Sequence, residues 1–487
     1  MLWDFLESNI DRHKKSCVMD FQSGRQITYE HLICKVNELY EKFLSLLVSK
    51  TKCAILCKNK TNECTIILSC LKAKVIPIIM SENYGKEHCI KIIERTQPDI
   101  AVVDSAEYRN LFEIPVYNII DQKQPSIKYS SEKSYLQDVA LIMCTSGTTG
   151  SPKGVMISEQ GLISNIQAIQ KYFDIKEREK ILISRPFYHC AVLTGELLVS
   201  LVNGLDLIFC NGKYDPFLIK RVIDNLHIEV MCGTPTIFNQ LSKLYRGTET
   251  NSTIHKMALS GECLSKEIAI NIRKAFPNAE IYNIYGLTEN SPRVSFLPPS
   301  KFDEFPESVG IGLVDTIIRI VDDDGNDVEN GKSGHIVVKS KSIMLGYYKE
   351  PQETNDKIRD GYLWTGDMGY KDSNNNLYIL GRADDMIIKA GLNIYPREIE
   401  SILLRCTYIE NCIAYGVKRN GTEQIQVEIV LKQAVRESDL WEILSEILPE
   451  HLIPDKIVIV DALKRNASGK LVRGAKFQGG NEEPCGN

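Results

Sequence analysis

The segment VALIMCTSGTTGSPKG (139–154) joins a short apolar run to a loop of small polar residues. The run 139–144 has the length and composition of a buried strand. The loop 145–154 contains three glycines, several hydroxyl side chains and Lys153. Glycines allow consecutive backbone N–H groups to face one anion, hydroxyls donate further hydrogen bonds, and a lysine adds charge. The segment therefore predicts a strand followed by a phosphate-binding loop.

This loop does not match the common phosphate-binding motifs. Lys153 follows Pro152 and precedes Gly154, whereas a Walker A motif requires G-x-x-x-x-G-K-[ST]. The pattern G-x-G-x-x-G is not present either. Taken alone, the same residues also suit an ordinary surface turn. The choice depends on whether the rest of the chain supplies other parts of a nucleotide site.

Apolar runs alternate with helix-like segments on both sides of the loop. They lie at 53–57, 75–79, 100–105, 180–184, 205–210 and 228–233. Continuous apolar strands that alternate with helices are typical of a parallel sheet covered on both faces. After the loop, Ser158 is a candidate N-cap of a helix on which Leu162, Ile166 and Ile169 share one face.

The pattern changes towards the C-terminus. From about 305 the segments shorten and turn signals such as DDDGND and KDSNNN become dense, which predicts a compact antiparallel β unit. From 385 onwards, strand-like and helix-like segments predict a small α+β domain. The polar residues between the two units are predicted to form a hinge.

Composition excludes several classes of protein. The 487 residues are too many for one ordinary core, and 43% hydrophobic with 25% charged residues is typical of a soluble globular protein. A net charge of −5 gives no basic footprint for nucleic acid, and the apolar runs are too short for a membrane span. The 15 cysteines lack metal-ligand spacing and favour a reducing, cytoplasmic location.

Further motifs supply the missing parts of a nucleotide site. NIYGLTEN (283–290) contains Tyr285, an aromatic ring for a purine, Thr288 for a phosphate, and Glu289 for Mg²⁺, which prefers oxygen ligands. LWTGD (363–367) ends in Asp367, a carboxylate suited to accept both hydroxyls of a ribose. GRADDMIIKAGLNIYPREIE (381–400) and RNASGK (465–470) follow.

This ordered set resembles the adenylate-forming superfamily of acyl-CoA synthetases, adenylation domains of nonribosomal peptide synthetases, and firefly luciferase. The resemblance covers nearly the whole chain. It implies an α/β N-terminal domain of several subdomains, with parallel sheets flanked by helices and a small β-barrel, at 1–381. It also implies a hinge at 382–384 and a small mobile α+β domain at 385–487.

The implied activity is that of an AMP-forming acid–thiol ligase that uses ATP and Mg²⁺. A carboxylate attacks the α-phosphorus of ATP to give an acyl-adenylate and pyrophosphate. A phosphopantetheine thiol, of CoA or of a carrier protein, then takes the acyl group and AMP leaves.

The resemblance also implies roles for individual residues. The nucleotide-binding residues are Thr145, Ser146, Gly147, Thr148, Thr149, Gly150, Lys153, Ser260, Gly261, Glu262, Asn283, Tyr285, Gly286, Asp367 and Arg382. The catalytic residues are Thr288, Glu289, His189 and Lys470, with Glu289 as the Mg²⁺ ligand. Asp384 is the hinge residue, and Lys389 and Gly391 line the thiol tunnel.

The implied acid pocket leaves the substrate open. Its residues are Tyr188, His189, Gly233, Phe238, Ser260 and Arg293. Amino-acid-activating relatives usually carry an aspartate where Tyr188 falls, because a buried ammonium needs a counter-ion. Tyr188 therefore favours an uncharged aryl or alkyl acid, although Glu196 is not excluded as a contact. Arg293 either pairs with a second carboxylate or polar group of the acid or forms an ordinary ion pair.

Other activities also remain open. One alternative is a stand-alone enzyme that loads an amino acid onto a carrier protein. Another transfers the adenylate to a non-thiol acceptor, and a third is a non-catalytic nucleotide-binding protein. A P-loop phosphotransferase is disfavoured because the Walker pattern is missing.

The presence of Lys470 favours an active enzyme over a protein that only binds nucleotide, because the resemblance implies that this lysine bridges the carboxylate and the α-phosphate. Lys470→Ala is expected to abolish adenylate formation and to leave the thiol step from a supplied acyl-adenylate largely intact. The two half-reactions measured separately test this, and equal loss in both would contradict the assignment.

Overall fold

The computed structural model describes residues 1–81, 83–121, 125, 134–146, 152–212, 214–245, 252–389, 392–419, 422–464 and 471–474. Its α-helices are α1 (Leu2–Arg12), α2 (Tyr29–Leu46), α3 (Lys60–Lys72), α4 (Lys86–Thr96), α5 (Glu159–Tyr172), α6 (Cys190–Val192), α7 (Val199–Asn203), α8 (Pro216–Leu226), α9 (Pro235–Leu244), α10 (Lys266–Ala275), α11 (Pro351–Lys357), α12 (Pro396–Leu403) and α13 (Glu437–Ile447). A π-helix, Leu193–Leu198, joins α6 to α7, and 3₁₀ helices lie at Ala106–Leu111, Ser134–Leu136, Thr288–Asn290, Pro299–Lys301, Ala383–Asp385 and Glu450–Leu452.

The strands follow the same chain order. They are β1 (Cys17–Asp20), β2 (Gln26–Thr28), β3 (Lys52–Leu56), β4 (Ile76–Ile79), β5 (Ile100–Val103), β6 (Val116–Asn118), β7 (Val139–Ser146), β8 (Pro152–Ser158), β9 (Lys180–Ile183), β10 (Asp206–Phe209), β11 (Val230–Gly233), β12 (Lys256–Ser260), β13 (Glu280–Gly286), β14 (Arg293–Leu297), β15 (Ile311–Gly312), β16 (Ile317–Val321), β17 (Gly334–Lys339), β18 (Gly346–Tyr347), β19 (Ile358–Arg359), β20 (Tyr362–Lys371), β21 (Leu377–Arg382), β22 (Ile387–Lys389), β23 (Leu392–Ile394), β24 (Ile409–Arg419), β25 (Thr422–Leu431) and β26 (Lys456–Ile459).

Two large sheets form the N-terminal part. One has the order β15-β14-β13-β12-β11-β9-β10-β1-β2, in which the strands from β13 to β1 are parallel and the strands outside them are antiparallel. The other has the order β18-β8-β7-β4-β3-β5-β6, with a parallel run from β7 to β6. The buried apolar runs of the sequence correspond to the parallel strands β3, β4, β5, β7, β9, β10 and β11, which confirms their prediction as strands.

The helix after the glycine-rich loop begins where the sequence predicts. Ser158 is the N-cap of α5, and its hydroxyl accepts a hydrogen bond from the N–H of Gly161 at 2.9 Å. Leu162, Ile166 and Ile169 are buried on one face of this helix. The cap satisfies a backbone donor that the first helical turn leaves unpaired.

The setting of the loop itself differs from the predicted strand–loop–helix arrangement. β7 continues to Ser146 and pairs with β8 in antiparallel register, so the loop connects the two strands of a hairpin, and α5 follows only after β8. After Gly154 the segment continues with three apolar residues, 155–157, and so short a run suits a strand and a helix equally.

The C-terminal third is built from smaller sheets. β16, β17, β19, β20 and β21 form an antiparallel sheet, as the dense turn signals predict. β22 pairs with β23, and β24, β25 and β26 form a sheet; α12 packs on β24, and α13 packs on α12. A separate hydrophobic cluster that extends from Ile387 to Ile457 forms the core of this last unit. Across the described residues, no helix is both long and apolar enough to traverse a bilayer.

Candidate active site

Four parallel strands of the larger sheet end at the same edge. β9, β11, β12 and β13 are neighbours, and the last three end at Gly233, Ser260 and Gly286. Ligands of open parallel sheets bind in the crevice at the carboxyl ends of the strands. The topology therefore brings three residues expected to line a site to one crevice.

Asp367 is bound from two directions at this crevice. Tyr285, on β13, donates a hydrogen bond from Oη to Oδ2 of Asp367 at 2.5 Å. Arg382, at the end of β21, donates from Nη1 to Oδ1 of Asp367 at 3.1 Å. Since an ionised carboxylate accepts about four hydrogen bonds, Asp367 retains acceptor capacity for the two adjacent hydroxyls of a ribose.

The charge of Asp367 changes the acidity of both partners. Burial, followed by the Asp367 carboxylate, raises the pKa of Tyr285 well above its ordinary value, so this phenol remains a neutral donor. Burial opposes the charge on Arg382, but the Asp367 carboxylate outweighs it and raises the pKa of the guanidinium. The site therefore contains one carboxylate, one guanidinium and one neutral phenol in direct contact.

Glu289 and Lys153 are linked through Tyr347. Tyr347 lies on β18, which pairs with β8, and its Oη donates to Oε1 of Glu289 at 2.8 Å. The Lys153 ammonium, on β8, lies 5.2 Å from the centre of the Tyr347 ring and 2.5 Å from Oε2 of Glu353. Thr145 is the cross-strand partner of Lys153. The cation of the loop and the expected metal ligand therefore belong to one connected cluster.

The chemistry of Glu289 fits Mg²⁺. Its half-buried carboxylate is an oxygen donor, and Mg²⁺ on a nucleotide is usually held by one or two carboxylates, phosphate oxygens and water. In the part of the chain that the structure describes, no three or more His, Cys, Asp and Glu side chains converge as a metal cage. Glu289 would therefore hold the ion together with oxygens of the substrate.

A second cation, Lys357, lies beside Arg382. A methyl group built on Gly366 would lie 2.7 Å from Nη2 of Arg382 and 2.9 Å from Nζ of Lys357, so both cations pack against this glycine. Gly366 has a φ of +80°, a left-handed conformation that favours glycine. Burial, and then the charge of Arg382, lower the pKa of Lys357, whereas Glu289 acts in the opposite direction. Two cations thus border the crevice next to Asp367.

The segment after β12 is fixed at the crevice by one hydrogen-bonded side chain. Ser260 is buried, whereas Gly261 and Glu262 are exposed. The Glu262 carboxylate accepts from Oγ1 of Thr236 at 2.6 Å and from the N–H of Thr236 at 3.2 Å. These bonds tie the segment to the first turn of α9.

Other residues of the β13 motif have structural contacts. The buried Asn283 side chain donates to the carbonyl oxygens of Pro306 at 3.2 Å and Ser308 at 2.8 Å, so it holds a neighbouring loop. A methyl group on Gly286 would lie 2.4 Å from the carbonyl oxygen of Pro292, so the backbone requires glycine here. Thr288 is half-buried and opens the 3₁₀ helix that contains Glu289.

Aromatic side chains gather where the acid pocket is expected. Tyr188 and His189 follow β9, and their ring centroids are 4.2 Å apart; the ring centroids of Tyr84 and Tyr188 are 4.8 Å apart. At the end of β11, a methyl group on Gly233 would lie 3.0 Å from the ring of the buried Phe238. Gly233 ends the strand next to β12, which ends at Ser260.

Arg293 and Glu196 have different partners. Arg293 is the first residue of β14 and donates hydrogen bonds to Tyr172 and to the carbonyl oxygen of Gly195. Glu196 is fully buried in the π-helix and forms an ion pair with Arg185. Within the described residues no carboxylate forms an ion pair with Arg293, so the interpretation of this residue as half of an ordinary ion pair is not supported.

The structure describes only some of the residues predicted for the C-terminal domain and for the glycine-rich loop. Asp384 is exposed, and its carboxylate lies 4.0 Å from Nη2 of Arg382. Nζ of Lys389 donates to Asp455 at 2.8 Å. Ser146 is the last residue of β7. The remaining predicted residues lie outside the described residues; they are Gly147, Thr148, Thr149, Gly150, Gly391 and Lys470.

The fold and the crevice define an adenylate-forming enzyme. The sequence profile of the AMP-binding enzyme family matches residues 6–348, and that of the AMP-binding enzyme C-terminal domain matches residues 398–470. The chain belongs to the AMP-binding enzyme family. The resemblance inferred from the ordered motifs is thereby confirmed.

Individual relatives and solved structures are similar to most of this chain. The long-chain-fatty-acid–CoA ligase of Salmonella typhimurium is 28% identical over 392 residues, which cover 79% of this chain and 68% of that protein. The 2-succinylbenzoate–CoA ligase of Bacillus cereus is 26% identical over 448 residues, which cover 90% of this chain and 91% of that protein. The o-succinylbenzoate CoA synthetase of Bacillus subtilis, solved with its acyl-adenylate intermediate, matches with a TM-score of 0.86 at 23% identity over 99% of both chains. The predicted fold class, a large α/β domain followed by a smaller one, is confirmed.

Sequence reasoning did not find Tyr347 and Lys357. Tyr347 reaches Glu289, 58 positions away, because β18 pairs with β8. Lys357 reaches the crevice because α11 ends beside β20. For Tyr347, the two tyrosines after Gly346 were the only local sequence signal of a site residue. For Lys357 there was none, because a lysine at the end of a helix is too common to indicate a site.

Lys357 is expected to add positive charge where the nucleotide binds. Lys357→Met should raise the KM for ATP by about 10-fold, the equivalent of about 1.4 kcal/mol, whereas Lys357→Arg should largely retain wild-type affinity. Initial rates at varied ATP measure the effect. Lys332→Met, at an exposed lysine of the β17 turn, is the matched control, and an equal change in that variant would contradict the role of Lys357.

Proposed function

We propose that this chain is an ATP-dependent, AMP-forming ligase that joins a small carboxylic acid to the thiol of CoA through an acyl-adenylate. The observation that carries the proposal is the arrangement of Asp367 and Glu289, each bound by a tyrosine hydroxyl. The cations Lys153, Arg382 and Lys357 lie around the two carboxylates. Membership of the AMP-binding enzyme family and the similarity to acid–CoA ligases support this reaction class.

In the first half-reaction, a carboxylate oxygen of the acid attacks the α-phosphorus of ATP, and the bond to pyrophosphate breaks. Thr145 and Lys153, with the loop 146–150, are proposed to bind the β- and γ-phosphates through hydrogen bonds and charge. Lys470 is proposed to bridge the acid and the α-phosphate. Mg²⁺ held by Glu289 would supply further neutralisation of phosphate charge. The protein's contribution is mainly positioning and charge stabilisation.

The nucleoside is proposed to lie between the ends of β12, β13 and β21. Tyr285 and the segment 260–262 would border the adenine. Asp367 would accept the ribose hydroxyls, with Arg382 fixing the carboxylate and adding a donor. The hydrogen bonds of Tyr285 and Arg382 to Asp367 support this assignment because they set the direction of its remaining lone pairs.

In the second half-reaction, the thiol attacks the acyl carbon, the bond to the phosphate oxygen breaks and AMP leaves. We assign residues 1–381 to the main domain, 382–384 to the hinge and 385–487 to the moving domain. The separate core from Ile387 to Ile457 supports a unit that can rotate as a body. Rotation about Asp384 would bring Lys389 and Gly391 to the thiol tunnel.

Acid-dependent exchange between ATP and pyrophosphate, followed by CoA-dependent release of AMP, tests the proposal. Exchange should require the acid, and AMP release should rise on addition of CoA. Glu289→Gln should reduce exchange by about 10²-fold or more, because charge stabilisation at the phosphates is lost. The exposed Glu442→Gln should not. A wild-type protein that shows no exchange with any acid of a broad panel would contradict the proposed function.

A further inference from the structure

Arg293 is a buried cation whose hydrogen-bond acceptors are neutral. Its side chain is only 3% exposed. Nη1 donates to Oη of Tyr172 at 2.5 Å, and Nη2 donates to the carbonyl oxygen of Gly195 at 3.0 Å. None of the carboxylates in the described ranges forms an ion pair with it. Glu196 acts on Arg293 only from beyond ion-pair distance. A buried charge without a counter-ion in direct contact is costly.

The buried carboxylate of Glu196 is nearby, but it forms an ion pair with another arginine, Arg185. Oε1 of Glu196 accepts a hydrogen bond from Nη2 of Arg185, and among the described residues its buried Oε2 has no hydrogen-bond partner. Burial raises the pKa of Glu196, and Arg185 and Arg293 offset this only in part. With one carboxylate to two guanidinium groups, the cluster of Arg185, Glu196 and Arg293 keeps a net positive charge.

The Arg293 guanidinium packs against the π-helix and lies near the end of β11. A methyl group on Gly195 would lie 2.9 Å from Nε of Arg293, so glycine in the π-helix is what leaves room for the guanidinium. A π-helical turn of this kind is frequent at functional sites. Arg293 also interacts with Cys232, the residue before Gly233 at the end of β11. The guanidinium therefore lies next to the expected acid pocket.

The charge of the cluster decides what kind of ligand group fits it. An ammonium group would face two guanidinium groups and only one carboxylate, and an alkyl chain would leave the excess positive charge of the cluster without a counter-ion. A carboxylate would supply that counter-ion, and a planar guanidinium can donate two parallel hydrogen bonds to it.

We infer that the acid activated by this enzyme carries a second negatively charged group, most simply a second carboxylate, which binds Arg293 while the first carboxylate attacks ATP. The inference rests on the proposed function. It replaces the uncharged aryl or alkyl acid that Tyr188 favours in the sequence by a dicarboxylic acid.

The test compares acids that differ only in the second charge. Succinate, adipate and phthalate, each beside its monomethyl ester, are assayed with other monocarboxylic and dicarboxylic acids by ATP–pyrophosphate exchange on the full chain. For the best dicarboxylic acid, kcat/KM should exceed that of its monoester by about 10²-fold, because the ester leaves a buried polar group unpaired. Equal activation of acid and ester, or activation of monocarboxylic acids alone, would overturn the inference. Absence of exchange with every acid is a distinct outcome, which overturns the proposed function and the inference with it.

Variants separate recognition from a structural role. Arg293→Met should reverse the preference, so that the monoester is activated at least as well as the dicarboxylic acid. Gly195→Ala keeps the charge but displaces the guanidinium, and it should raise the KM for the dicarboxylic acid more than that for the ester. Arg319→Met, at an arginine in the antiparallel sheet that pairs with Asp327, is the matched control and should retain the wild-type preference. A uniform loss with both acids in Arg293→Met would assign Arg293 to stability and overturn the inference.

Discussion

The hydrogen bonds to the Asp367 carboxylate join the two halves of the crevice. Tyr285 reaches it from the large sheet, and Arg382 reaches it from the next strand of the antiparallel sheet. The same carboxylate thereby fixes the position of the antiparallel sheet against β13 and the start of the segment that leads to the C-terminal unit. The proposed placement of the nucleoside, with Lys357 beside it, depends on this contact.

Each of the two carboxylates of the site accepts a hydrogen bond from a neutral phenol. Tyr285 binds Asp367 and Tyr347 binds Glu289, and burial followed by the neighbouring carboxylate raises the pKa of each phenol. A protonated phenol orients a carboxylate without cancelling its charge. Asp367 therefore keeps acceptor capacity for hydroxyls, and Glu289 keeps negative charge for a divalent cation.

The sequence predicted what depends on local pattern. Continuous apolar runs gave the strands, Ser158 marked the start of α5, and the ordered motifs gave the family. It did not predict that residues after the glycine-rich loop form β8, since a short apolar run suits a strand and a helix equally. It also missed Tyr347 and the acceptors of Arg293, because these contacts arise from strand pairing and helix packing between distant segments. The number of opposite charges around a buried arginine can be counted only when the structure shows which side chains are buried beside it.

The central claim is that the acid attacks the α-phosphorus of ATP, so that AMP leaves with one oxygen of the acid. The most direct measurement uses an acid that supports exchange, labelled with oxygen-18 in its carboxylate, and determines the label in the products after transfer to CoA. The account predicts label in the phosphate of AMP and none in pyrophosphate. Unlabelled AMP, or formation of ADP and phosphate instead, would contradict it.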